Sequence, residues 1–152
     1  MDDVTQISQL KYRYLRTLDT KQWDEFADCF VPDATGDYNG LLFDNRDALV
    51  SYMKENLPEG FLTMHQVHHP EIEVDGDTAT GSWGFEDTVI VPDFKVLIRG
   101  AGYYRDTYRR DADGAWRIAS TGYERIYEAM TSLEDTPSFK LIANRWDPEL
   151  SH

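Results

Sequence analysis

The periodicity of the apolar residues changes along the chain, and this change constrains the fold more than any other feature. Over residues 3–19, Val4, Ile7, Leu10, Tyr14 and Leu18 recur at spacings of three and four, which predicts an amphipathic helix with one buried stripe. From His65 onward the period is two. Gln66, His68, Pro70, Ile72 and Val74 share one parity, and "DGD" at 75–77 marks a tight hairpin. The return strand puts Ala79, Gly81, Trp83, Phe85 and Asp87 on one face. Further strands are predicted over about 96–109 and 115–127, joined by the turn "DADG". Two short helices precede the strands, near Trp23–Phe30 and Asn45–Asn56, with Asp19 or Thr20 as a cap for the first and Asn45 for the second. "VPDATGDYNG" between them breaks the helical pattern with Pro and Gly.

Helices first and antiparallel strands afterwards give an α+β domain with helices on one face of a sheet. A curved sheet wrapped on a few helices leaves an apolar cavity between the layers, where ligand pockets form. At 152 residues the chain is about one domain long, so residues 1–130 are read as that domain and 131–152 as a partly ordered tail. The net charge of −13 disfavours nucleic acid and anionic membranes as partners. No apolar run approaches the roughly 20 residues that span a bilayer, and the N-terminus lacks the basic start and apolar stretch of a secretory signal. The lone Cys29 forms no intramolecular disulfide, so a cytoplasmic location is expected.

Three of the four histidines, His65, His68 and His69, fall within five positions. Spacings of three and then one on a strand do not converge on a single ion, so no metal is expected. Strand parity turns His68 toward the cavity with Ile72 and Val74, and His65 and His69 away from it. An imidazole there suits a general base near neutral pH; otherwise His68 is a buried residue satisfied by a carbonyl. Asp87 follows Trp83 and Phe85 on the inward face. It is either a desolvated carboxyl that donates a proton, an anchor for an arginine, or a solvated strand end. Tyr14 lies on the apolar stripe, where tyrosine is ordinarily core. Arg125 shares a parity with Tyr123 and Tyr127.

Three segments carry a family resemblance: "YRYLRTLDTKQWDEFADCFVPDAT", "HHPEIEVDGDTATGSW" and "GYYRDTYRRDADGAWRIASTGYERIY". The chain resembles the nuclear transport factor 2-like superfamily, and within it the SnoaL-like group. The resemblance covers most of residues 5–128 and implies a cone-shaped α+β barrel, with N-terminal helices packed in a strongly curved antiparallel sheet. Its bile acid dehydratase and lindane dehydrochlorinase types place a proton-handling residue one helical turn before an Asp, then a His opening a strand, then an Arg on the last strand. Tyr14, Asp19, His68 and Arg125 fit that set, and Asp87 fits a further dehydratase Asp. The dehydrochlorinase has a lysine where Tyr14 stands, which tilts the resemblance toward loss of water. What it implies is a cofactor-independent lyase, a dehydratase acting on a hydrophobic ring compound of steroid or polyketide type. In it His68 is the base, Asp19 its support, Tyr14 or Asp87 the acid, and Arg125 the charge neutraliser. A ketosteroid-type isomerase or polyketide cyclase could use the same groups, and a non-catalytic small-molecule-binding domain would use none. The fold's open sheet face also implies a homo-oligomer, a dimer or trimer.

Overall fold

The structure, a computed structural model, describes residues 1–151. Helix α1 spans Asp3–Asp19, α2 spans Trp23–Asp28, and α3 spans Arg46–Asn56. Asp2 caps α1 by accepting from the Thr5 N–H at 2.8 Å, and Asn45 caps α3 through the Ala48 N–H at 2.8 Å. The expected cap of α2 is absent. Its N-cap is Gln22, which makes no side-chain capping bond, and Asp19 is used elsewhere.

Six strands form one sheet in the order β2-β1-β6-β5-β4-β3. They are β1 (Phe30–Tyr38), β2 (Leu41–Phe43), β3 (Leu62–Asp75), β4 (Thr78–Val91), β5 (Val96–Arg110) and β6 (Trp116–Ser132). The β3–β4 hairpin turns where "DGD" predicts, and Gly76 takes the positive φ of 62° that the turn requires. Strand β1 is the segment whose Pro and Gly read as a break. It pairs with β6 in parallel, so the sheet is mixed rather than purely antiparallel. Beyond β6 a 3-10 turn covers Leu133–Asp135, and the segment after it is irregular.

The helices pack on the concave face of the sheet. Ile7, Leu10, Tyr14 and Leu18 of α1 are buried against Trp83, Phe85, Tyr104 and Tyr108. One charged pair lies inside this core: the fully buried Lys11 Nζ is 2.8 Å from Asp106 Oδ2. Tyr108 Oη and Thr121 Oγ1 donate to the same carboxylate at 2.8 and 2.7 Å, and Trp83 Nε1 donates to Tyr108 Oη at 2.9 Å. The ammonium also lies 3.5 Å from the Tyr104 ring centroid, a cation–π contact. Burial pulls the Lys11 pKa below its ordinary value, and the Asp106 charge opposes that pull.

Two β-bulges decide which side chains enter the cone. In β3 the register slips between His68 and Glu71, so one extra residue lies opposite β4. In β6, Ala101 pairs with Tyr127 but Gly102 pairs with Arg125, which makes Ile126 the extra residue. Each bulge inverts the parity of everything beyond it.

Candidate active site

The β3 bulge reverses the expected orientations of His65 and His68. Inward residues alternate as Thr63, His65 and Val67 before it, and as Pro70 and Ile72 after it. Parity counted back from Ile72 therefore gives the wrong face. His68 is a correction: its side chain lies on the outer face, 49% exposed, with Nε2 3.0 Å from Glu86 Oε2. His69 is exposed as well. His65 faces inward at 13% exposure, and its Nδ1 is 2.7 Å from Asp19 Oδ1.

Asp19 is the last residue of α1 and stands behind His65. It accepts from the His65 backbone N–H at 2.9 Å and from Thr63 Oγ1 at 2.9 Å, besides the imidazole. An acceptor on Nδ1 fixes the tautomer with the proton there, leaving the Nε2 lone pair free toward the cavity. His65 Nε2 is 3.9 Å from Asp87 Oδ2.

Asp87 is buried on the inward face, as its parity predicts, in the arrangement of an arginine anchor. Arg125 Nη1 and Nη2 reach its two oxygens at 2.5 and 3.1 Å. Burial lowers the Arg125 pKa, but the hydrogen bonds and charge of Asp87 outweigh it and hold the guanidinium above its ordinary value. The β6 bulge turns Tyr123 and Arg125 inward and leaves Tyr127 half-exposed on the outside, against the shared parity expected for all three.

Gly100 supplies the room for the guanidinium. A Cβ at that position would fall on Arg125 Nη1 and 2.9 Å from its Cζ. Gly100→Ala should therefore push Arg125 off Asp87 and leave a buried carboxylate without its partner. A loss of about 3 kcal/mol in unfolding free energy is expected by denaturant titration, the low end of the range for breaking a buried pair because Arg125 sits near the mouth.

Tyr14 is fully buried on α1, with Oη 2.5 Å from Tyr38 Oη of β1. Tyr38 was not among the residues expected from the sequence, because it ends the segment that reads as a loop. The rings of Tyr104 and Tyr123 complete this wall, with Tyr123 stacked on Tyr38 at 5.3 Å. Burial raises the pKa of Tyr14, Tyr38, Tyr104 and Tyr108, so all four are neutral hydrogen-bonding phenols.

This has a measurable consequence. In the unfolded chain phenols ionise around pH 10, so unfolding above that pH releases protons and stability falls as pH rises. Lys11 and Lys21, lowered in the folded state, work in the opposite direction, but they are two groups against the four phenols, with Tyr123 and Cys29 raised as well. Melting temperature should therefore hold steady to about pH 9 and then drop, at roughly 1.4 kcal/mol per pH unit for each phenol. Thermal melts with absorbance of tyrosinate as the second probe would check this.

Tyr14, Tyr38, His65, Asp87, Tyr104, Tyr123 and Arg125 line one cavity of about 460 Å³ between α1, α3 and the sheet. Its floor is Tyr14, Tyr38 and Tyr104. One side carries His65, Asp87 and Arg125, with Thr63, Asn56 and Glu128 as further polar lining, and most of the rest is apolar, including Leu18, Met53, Leu57, Phe61, Phe85 and Val89. Of the five residues expected, Tyr14, Asp87 and Arg125 line the cavity, Asp19 backs it, and His68 lies outside. Among the described residues no group of three or more His, Cys, Asp and Glu is arranged to hold a metal ion, and no helix is long and apolar enough to cross a membrane.

The protein is similar to an uncharacterized protein of Mycobacterium tuberculosis, Rv2910c, at 27% identity over 133 residues, 86% of this chain and 90% of that protein. Its structure is similar to that of Rv3472 of the same organism, described as of unknown function, with a TM-score of 0.73, 26% identity, and coverage of 98% of this chain and 82% of that one. It also superposes on the hexachlorocyclohexane dehydrochlorinase LinA, type 2, with a TM-score of 0.76, 19% identity, and coverage of 84% and 87%; at that identity the likeness speaks for the fold. A family model for the SnoaL-like domain matches residues 1–122, and the chain belongs to that family, with the α+β cone fold of the nuclear transport factor 2-like superfamily.

Proposed function

We propose that the protein is a cofactor-independent dehydratase acting on an oxygenated hydrophobic ring compound, with His65 rather than His68 as its general base. The observation that carries this reading is the imidazole held by Asp19 at 2.7 Å, with its second nitrogen free toward an aromatic cavity that contains paired phenols.

His65 Nε2 takes a proton from the carbon next to a ring carbonyl. The Tyr14–Tyr38 pair has one hydroxyl proton to spare after bonding to itself, and donates it in a hydrogen bond to the carbonyl oxygen as charge develops there. The imidazolium then has a carboxylate beside each nitrogen, Asp19 at Nδ1 and Asp87 beyond Nε2. It returns its proton to the β-hydroxyl, the C–O bond breaks, and water leaves. Asp87 and Arg125 lock one another and fix the wall beside the base. LinA is named a dehydrochlorinase, and an elimination from a ring begins with the same proton abstraction. An isomerase or polyketide cyclase would share that first step and differ in where the proton goes next.

A suitable probe is 3-hydroxy-1-tetralone, which loses water to give 1-naphthol. Release of fluorescent 1-naphthol above the buffer rate is expected; ring-proton exchange without naphthol would favour the isomerase, and neither would contradict the enzymatic reading. We further read residues 1–130 as the domain and 131–152 as a tail outside the catalytic unit. The homo-oligomer is also retained as a proposal, a dimer or trimer, supported by Tyr103, Ile126 and Tyr127 exposed on the uncovered outer sheet face.

A further inference from the structure

The cavity holds one permanent cation, and that cation is already engaged. Both terminal nitrogens of Arg125 bond to Asp87, at 2.5 and 3.1 Å, and Nη2 also lies 3.5 Å from Glu128 Oε1. Glu128 lines the same cavity, and its side chain is 55% exposed, which places it at the solvent edge. Two carboxylates thus face one guanidinium, and Asp19 stands behind His65 as a third.

An incoming carboxylate or phosphate has two options. It can displace Asp87 from a bidentate pair and leave that buried group unpaired, or it can sit beside Asp87 and Glu128 with no counter-charge. Both are unfavourable, and built-in repulsion of this kind is how sites reject a competitor. A cation has counter-charges but must give up its hydration against aromatic walls. A neutral oxygen meets the Tyr14–Tyr38 hydroxyls at the cavity floor with no charge to desolvate.

Resting on the ring-compound reading above, we propose that the cavity selects uncharged oxygenated ring compounds over their carboxylate analogues, and that Glu128 is the specificity-determining residue that enforces this by occupying the remaining edge of Arg125. Arg125 is thereby a wall of the site, not the receptor for an anionic substrate group.

Isothermal titration calorimetry near neutral pH with three probes of one ring size tests this: 2-naphthol (neutral), 2-naphthoate (anionic) and 2-naphthylmethylamine (cationic). The expected result is that 2-naphthol binds about tenfold or more tighter than either charged probe. In Glu128→Gln the preference for naphthol over naphthoate should shrink about threefold or more, because the repelling charge is gone and Arg125 is partly released. Equal or tighter naphthoate binding, tightest binding of the amine, or no binding of any probe would overturn the selectivity. An unchanged ratio in Glu128→Gln would overturn the role of Glu128. Calorimetry needs no turnover, so naphthol preference without water loss from 3-hydroxy-1-tetralone would refute the dehydratase and leave this inference standing. Turnover of the tetralone with indifferent binding of naphthoate would do the reverse.

Discussion

Asp106→Ala should lower the unfolding free energy by about 3–5 kcal/mol, the cost of removing one partner from a buried ion pair. Lys11 and Asp106 both have fully buried side chains, so bulk solvent does not take over the lost interaction. The substitution also strips acceptors from Tyr108 and Thr121, each donating to that carboxylate. Without Asp106 the main charge opposing the burial that already pulls Lys11 down is gone, which favours the neutral amine, and that relief keeps the cost within this range. For a domain whose total stability is about 5–15 kcal/mol, the loss is a large fraction. The double variant Lys11→Met/Asp106→Leu should recover part of it, since replacing a whole buried pair with apolar side chains is often neutral or better. Urea titration measures both; a loss below about 1 kcal/mol for Asp106→Ala would mean that water reaches the pair.

That pair was not among the features expected from the sequence, because it takes two elements to read it. Lys11 falls on the stripe of Ile7, Tyr14 and Leu18, and Asp106 falls on the inward parity between Tyr104 and Tyr108. Opposite charges on two apolar faces that must meet are a signal for a buried pair. The bounds of α1, the β3–β4 turn and the inward run Trp83, Phe85, Asp87 were legible because each is a local period with nothing interrupting it.

The site was only partly legible, because bulges break the period next to it. Parity extrapolated from Ile72 across residues 68–71 selects His68, and the inserted residue hands the position to His65. The one local hint is Pro70, which lacks the N–H a regular ladder needs. In β6 the extra residue is Ile126, 71% exposed, and it marks where Tyr127 leaves the face of Arg125. Strand β1 hides Tyr38 because its Pro32 and Gly36 argue against a strand. Its parallel pairing with β6, Tyr38 against Tyr123, joins segments far apart in the chain and leaves no local trace.

His65→Asn should have the largest effect on chemistry. The side chain stays polar and similar in size, and Asn can still bond to Asp19, so the fold should persist. What is lost is the basic Nε2, and a positioned general base contributes about 10² to 10⁴-fold. Asp19→Asn should act in the same direction and less severely, because it removes the acceptor that fixes the tautomer while leaving the imidazole in place. His68→Asn breaks only the outer contact with Glu86 and should change nothing in the cavity.

Proton abstraction is the step on which every enzymatic reading of the cavity depends, and deuterium uptake from D₂O into the carbons beside the carbonyl of 2-tetralone, followed by proton NMR, isolates it from any later elimination. The expected result is enzyme-accelerated exchange that falls by about 10² to 10⁴-fold in His65→Asn and is unchanged in His68→Asn. Wild-type exchange in His65→Asn, or its loss in His68→Asn, would contradict the account.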